Sequence, residues 1–334
     1  MAIKFALLGC GRIGVMHARN LAGADGARLE AVFDPNTTAA EAVARANGCR
    51  VATSAEDAIG KADAVLIATS TATHADLIEL AAKAGKAILC EKPIDLNLDR
   101  VRACRKAIEG CEVPIQIGFN RRLDPGHRAA RDACAAGKIG KLEQVVITSR
   151  DPGLPPRGYT AVSGGIFRDM TIHDFDVARF MLNDEPTEVF ATGSALVDPT
   201  IGSEFGDFDS IMVVMRTTDG KLCHINNSRR ATFGYDQRIE LFGSEGMVIS
   251  DNRKARELKF CGSTTTEAAE PYLNFFIERY AEAYEAEIAA FIAAIRNGGP
   301  TQATFDDGYR ALMLAEAAVE SARTGKKVEV RDIA

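Results

Sequence analysis

No run in this sequence stays apolar for the roughly 20 residues that a bilayer span needs, so no membrane is expected as a partner. Long basic stretches are missing too, and the formal charge is −6 over 334 residues, which excludes a surface built for nucleic acid. There is no C-x-x-C pair. The eight cysteines (10, 49, 90, 104, 111, 134, 223 and 261) are scattered, the pattern of reduced thiols in a cytoplasmic protein. The chain enters a strand-like run at Ile3, which leaves no room for a signal peptide. Cys, His and carboxylates do not gather at ligand spacing, so no metal is expected. Repeats, low-complexity tracts and flexible linkers are also lacking. What remains is an ordinary globular balance, 46% apolar and 26% charged, long enough for two domains.

The first informative stretch follows an apolar run, Ile3 to Leu8. It reads Gly9-Cys10-Gly11-Arg12-Ile13-Gly14, a G-x-G-x-x-G, and a helix-like segment continues to about Ala22. The first glycine permits a tight turn, the second lets backbone approach a pyrophosphate, and the third lets strand and helix pack. A second strand, Leu29 to Phe33, ends at Asp34, twenty residues after Gly14, where a carboxylate accepts from ribose hydroxyls. Pro35-Asn36-Thr37 follow, with no base to meet a 2′-phosphate, so NAD is favoured over NADP.

Strands and helices then alternate up to a strand at Pro114 to Gly118, which predicts a doubly wound parallel sheet over residues 1–122. Two strand ends carry polar residues at the carboxyl edge, where ligands bind such sheets. One is Thr69-Ser70-Thr71-Ala72-Thr73-His74; the other is Glu91-Lys92-Pro93. His74 could equally begin the next helix, and Lys92 could be a surface lysine.

Residues 123–334 lose this rhythm. Several strand-like runs, with a hairpin signal at Asp219-Gly220, predict an α+β domain with a large, mainly antiparallel sheet. Two helical stretches, 274–297 and 306–324, close the chain, and Glu282, Glu285 and Glu287 read as a solvated face. Between strand runs lies Ser163 to Met181, which reads as a helix after Gly164-Gly165. On a helix, Asp169 and His173 share one face. A carboxylate beside an imidazole can orient it and tune it as a proton acceptor; a plain surface pair is the alternative.

Taken together, the Gly9–Gly14 motif, the T-S-T-A-T-H loop, Glu91-Lys92-Pro93 and Asp169-x-x-x-His173 resemble the glucose–fructose oxidoreductase/inositol dehydrogenase family. The resemblance covers essentially the whole chain. A narrower likeness, to bacterial inositol 2-dehydrogenases, comes from G-F-N-R-R-L-D-P (118–125), S-R-D-P (149–152), the stretch 163–176 and Y-D-Q-R-I-E (235–240). Those enzymes oxidise myo-inositol to scyllo-inosose with NAD.

The resemblance implies a Rossmann domain, NAD, a small polyol substrate and a homo-oligomer, dimer or tetramer, packed through the large sheet. It also implies catalytic roles for Lys92, Asp169 and His173. Cofactor contacts are expected from Gly9, Gly11, Arg12, Ile13, Gly14, Asp34, Thr69, Thr71, His74, Glu91 and Lys92. Substrate contacts are expected from Asn120, Arg122, Asp151, Asp169, His173 and Tyr235, with domain-interface ion pairs as the alternative for Arg121 and Arg122. Some inositol dehydrogenases carry His and Asn where this chain has Ser149 and Asp151, which bears on stereochemical preference. The competing readings are a related polyol or aldose dehydrogenase and a nucleotide-bound sensor. A sensor has no need of a proton acceptor beside a basic donor.

Cofactor preference gives a first test. Asp34→Ser combined with Pro35→Arg is expected to raise the NADP-to-NAD ratio of kcat/KM by about 10- to 100-fold, the worth of charged hydrogen bonds. An unchanged ratio would remove Asp34 from cofactor selection.

Overall fold

Six short apolar strands begin the chain: β1 (Ile3–Leu8), β2 (Ala27–Phe33), β3 (Arg50–Val51), β4 (Ala64–Ile67), β5 (Ala87–Cys90) and β6 (Ile115–Ile117). They pair in the order β3-β2-β1-β4-β5-β6, every pair parallel. All residues of β4 and β5 are buried, as parallel strands covered on both faces must be. The order reverses between β1 and β4, so the crevice at their carboxyl ends is where such a sheet takes a ligand. The structure, a computed structural model, describes residues 2–332.

The chain divides into two units. The first comprises residues through Leu123 with Glu282–Leu312, and the second comprises Asp124–Ala281 with the residues from Met313 on. Residues 282–312 therefore leave the second domain, where the sequence reading places them. The reason is apolar. Helix Ala281–Asn297 sends Ile288, Phe291 and Ile292 into the core beside Phe5 and Leu7, and the Phe5 and Phe291 rings lie 6.2 Å apart. The helix predicted over 274–297 is also broken, with a short turn Phe276–Arg279 before it.

In the second unit the strands are β7 (Leu142–Arg150), β8 (Pro186–Ser194), β9 (Ser210–Thr217), β10 (Leu222–Ser228), β11 (Asp236–Gly243) and β12 (Gly246–Ser250). A two-stranded pair, β13 (Lys259–Phe260) and β14 (Ala268–Ala269), stands apart, and β15 (Val328–Glu329) joins β8. The seven-stranded sheet runs β12-β11-β7-β10-β9-β8-β15. It is antiparallel except for β7 and β10, which run parallel with Ser228 opposite Arg150. Along β9 the alternation is clean. Ile211, Val213 and Met215 point into the core, while Met212 and Val214 are exposed on the other face. Helix Ile172–Leu182 packs on β7, which explains why nearly all of its residues are buried.

One buried ion pair anchors this unit. Arg279 bonds Asp124, both side chains are 1% exposed, and Asp124 also caps helix Pro125–Ala135 through the backbone N–H of Gly126 and His127. Arg279→Met strands a buried carboxylate, so the free energy of urea unfolding is expected to fall by about 3–5 kcal/mol. A loss below about 1 kcal/mol, the size of an ordinary substitution, would contradict the pair's importance.

Candidate functional site

In the first unit, the glycine-rich turn is shaped by contacts that only glycine allows. Gly9 has φ +97°, and a Cβ there would lie 2.3 Å from the Ala68 carbonyl oxygen. A Cβ on Gly14 would lie 2.0 Å from the Gly9 oxygen. Gly11, by contrast, has open space around it and is exposed, and no side chain caps helix Arg12–Gly23 behind it. The N–H groups at that helix end, with room for an anion, fit the pyrophosphate of a dinucleotide. Arg12 is exposed and Ile13 half-buried beside them. Asp34 closes the turn: its carboxylate accepts from Cys10 N and Asn36 N, both at 2.7 Å. A carboxylate can accept about four hydrogen bonds, so it retains capacity for ribose hydroxyls.

At the end of β4, Thr69 and Thr71 are half-buried, and the Thr73 hydroxyl donates to Thr69 Oγ1 at 2.7 Å. His74 begins helix His74–Lys83 and is buried. Its Nδ1 lies 2.8 Å from the Pro93 carbonyl and its Nε2 3.1 Å from that of Thr69. Burial holds its pKa below the usual imidazole value. A neutral imidazole donates from one nitrogen only, so His74 sits between the carbonyls of the β4 and β5 turns and ties itself to one of them.

The β5 turn carries Glu91 and Lys92. Glu91 Oε1 lies 2.7 Å from His17 Nε2, and its Oε2 accepts from Lys92 N at 3.3 Å. Burial raises the Glu91 pKa, but the bond from His17 and the charges of His17 and Lys92 together hold it below the usual carboxylate range. Glu287 departs from the expected solvated face: it is buried, and burial with the nearby Glu91 charge pushes its pKa up. Glu282 and Glu285 are exposed as expected. After β6, Asn120 is buried with no hydrogen bond to its Nδ2 among the described residues. Arg122 donates to Asp307 and to the Gln302 carbonyl, both at 2.9 Å, an ion pair inside the first unit rather than the expected domain-interface one.

The second unit supplies the other candidates. Between Gly165 and Ile172 the chain makes a π-helical turn, Phe167–Thr171, and only then the α-helix Ile172–Leu182. Asp169 lies within the π turn and His173 in the first α turn. Single π turns mark functional sites often. The helix is pinned from below by Asp174, which is fully buried and accepts from Ser149 Oγ at 2.6 Å and Asn227 Nδ2 at 2.9 Å. Thr171 Oγ1 donates to Asn227 Oδ1 at 2.6 Å. Ser149 thus anchors the helix, while Asp169 and His173 are partly buried along it.

Asp169 is held by two donors. Tyr159 Oη reaches its Oδ1 at 2.8 Å, and Arg229 Nη2 its Oδ2 at 2.8 Å. The other arm of Arg229 donates to Asp151 Oδ2 at 2.9 Å. Burial lowers the Arg229 pKa, but the two carboxylates outweigh it and raise it; burial and Asp169 push the Tyr159 phenol up. The structure thus brings Asp151 and Asp169 together through residues the sequence reading did not name. Tyr235 is buried with its ring edge-on to Tyr280, centroids 6.1 Å apart. A cluster of carboxylates, guanidinium and phenol suits a ligand rich in hydroxyl groups.

Comparison with known proteins agrees with this chemistry. Residues 3–119 match the model of the oxidoreductase family with an NAD-binding Rossmann fold, and residues 127–249 match the GFO/IDH/MocA C-terminal domain. An inositol 2-dehydrogenase from Rhizobium meliloti (strain 1021) is 51% identical over 332 residues, covering 99% of this chain and all of the relative. A crystal structure of a myo-inositol dehydrogenase from Corynebacterium glutamicum superposes with a TM-score of 0.95 at 44% identity, covering 98% of this chain and 99% of that one. A scyllo-inositol dehydrogenase from Lactobacillus casei, crystallised with NAD(H) and scyllo-inositol, gives a TM-score of 0.92 at 28% identity, with 99% and 98% covered. With a glycine turn fitted to a dinucleotide in one unit and both family models matched in sequence order, the chain belongs to the GFO/IDH/MocA family of NAD-binding oxidoreductases.

Proposed function

We propose that this chain is an NAD-dependent inositol 2-dehydrogenase that oxidises myo-inositol to scyllo-inosose. The observation that carries this reading is the hydrogen-bonded array of Asp151, Arg229, Asp169 and Tyr159, with His173 four residues after Asp169 in sequence, in a chain half identical to an inositol 2-dehydrogenase along its full length. NAD, when bound, supplies the hydride acceptor. The Gly9–Gly14 backbone and Asp34 hold it, with Thr69, Thr71 and the β5 turn completing the cofactor contacts.

His173 accepts the proton of the reacting hydroxyl, since an imidazole is largely neutral near pH 7. Asp169, kept in place by Tyr159 and Arg229, orients the imidazole or a neighbouring ring hydroxyl and favours the imidazolium formed on transfer. Lys92 donates to the reacting oxygen, and its charge stabilises alkoxide character as the proton departs. Asn120 and Asp151 bind further hydroxyls. Arg122 and Tyr235 shape the surroundings from buried positions.

A second reading, oxidation of scyllo-inositol or an aldopyranose by the same residues, is supported by the scyllo-inositol bound in the Lactobacillus casei relative. NADH formation at 340 nm with myo-inositol, scyllo-inositol, D-chiro-inositol and glucose separates the two. A preference for myo-inositol is expected; preference for another member of the panel would move the substrate and keep the chemistry. Within the active enzyme, His173→Ala is expected to lower kcat by about 10²–10⁴-fold with NAD affinity unchanged. Equal turnover by mutant and wild type would take His173 out of the mechanism.

The protein is also proposed to work as a dimer or tetramer in the cytoplasm, where NAD is available and its eight free cysteines stay reduced. Phe190, Val214 and Ile249 are exposed in one register row across the second-unit sheet, flanked by Met212, Leu222, Phe242 and Met247. Such a patch on a sheet face suits a second copy. Val214→Glu is expected to shift the protein toward monomer in sedimentation velocity; an unchanged distribution would place the interface elsewhere.

A further inference from the structure

We infer that Arg229 is a positioning residue that sets substrate stereospecificity by fixing Asp151 against Asp169. The inference rests on the polyol dehydrogenase reading and goes beyond it, because it names what decides between one cyclic polyol and another.

The position of Arg229 follows from the sheet. β7 and β10 are parallel with Arg150 opposite Ser228, so the next residue on each strand, Asp151 and Arg229, leaves from the same edge. Asp151 N donates to the Ser228 carbonyl at 2.9 Å, and Arg229 N donates to the Asp209 carbonyl, just before β9, at 2.7 Å. Three strand ends therefore hold the backbone on both sides of the pair. The side chain is 9% exposed and spends its two terminal nitrogens on two different carboxylates. Guanidinium is the one side-chain cation with a rigid, planar fork able to do this; an ammonium is a point charge.

The electrostatics suit the task. Asp151, Asp169 and Arg229 together carry one negative charge, which favours neutral hydroxyl donors and disfavours anionic ligands. Tyr159 gives Asp169 a second donor, and its segment is tied down by Arg157, which donates to Thr200 Oγ1 at 2.9 Å and pairs with Glu204. Asp169 thus keeps one anchor if Arg229 is altered, whereas Asp151 loses its ion pair with Arg229. The consequence is specific. Disturbing Arg229 moves the Asp151 carboxylate relative to Asp169, and so changes which ring hydroxyls the two can bind at once. A substrate is then discriminated by the orientation of a hydroxyl rather than by its size.

The test uses the full chain with NAD and compares wild type, Arg229→Lys, Asp151→Asn and the double variant. kcat and KM are measured for myo-inositol and scyllo-inositol, which differ in the orientation of one hydroxyl, and NAD affinity is measured by fluorescence. Arg229→Lys is expected to raise KM for the preferred inositol about 10- to 100-fold, the worth of charged hydrogen bonds, and to change the ratio of kcat/KM between the two inositols about tenfold or more. NAD affinity should stay within about twofold, and the double variant should be no worse than the poorer single one, since coupled residues are non-additive.

A merely structural arginine would depress both inositols equally and leave the ratio unmoved, and that result overturns the inference. Fully multiplicative single effects overturn it as well. Should Arg229→Lys fail to fold, Asp151→Asn alone decides: a shifted ratio supports the role and an unshifted one refutes it. A wild type that oxidises no cyclic polyol sinks the functional reading, and this inference falls with it. An active wild type with silent variants sinks only the inference.

Discussion

The parallel ladder between Leu142–Arg150 and Leu222–Ser228 is the constraint on which the second unit's chemistry depends. In an antiparallel pair the end of one strand lies beside the start of the other. Here the two ends leave together, and Asp151 and Arg229 emerge as neighbours. The same two strands carry Ser149 and Asn227, each two positions earlier, and these grip Asp174 under the helix of His173. One register thus sets both the anchor below the helix and the charged groups beside it. A shift of one residue would turn every one of these side chains to the opposite face.

The first unit uses buried charge differently. The central strands β4 and β5 of its parallel sheet are apolar throughout, and polar groups follow at their carboxyl ends. There each turn is tied to another by a side chain: Asp34 to the glycine turn, His74 between the β4 and β5 turns, and Glu91 to His17 on the first helix. A dinucleotide site needs backbone placed to within a fraction of an ångström, and turns alone are mobile. Charge-assisted bonds in a low-dielectric setting hold them at modest cost in stability. Lys92 inherits its position from this bracing.

Much of this was legible in the residues. The G-x-G-x-x-G with Asp34 twenty residues on, the strand ends at Thr69 and Lys92, and the paired Asp169 and His173 carry local signals that survive without knowledge of the fold. The hairpin signal at Asp219-Gly220 falls between two strands that do pair, Ser210–Thr217 and Leu222–Ser228. Other features needed tertiary contacts. A π turn looks like an α-helix to periodicity alone, so the turn Phe167–Thr171 is not legible in the sequence. Glu287 has the pattern of a surface residue, and only the docking of Ala281–Asn297 on the first sheet buries it. Arg229 follows a strand in an Arg-Arg pair that resembles any solvated turn. Its partner Asp151 lies 78 positions away, and nothing in either stretch announces that their strands run parallel.

The central claim is that the hydrogen on C2 of myo-inositol leaves as hydride while His173 takes the hydroxyl proton. The most direct measurement is to supply myo-inositol deuterated at C2 with NAD and read the nicotinamide C4 position and the inositol product by NMR. Stoichiometric deuterium at C4, with a ketone at C2 of the ring, is the result expected. Protium at C4, or a ketone at another ring carbon, would contradict the assignment of reaction and substrate together.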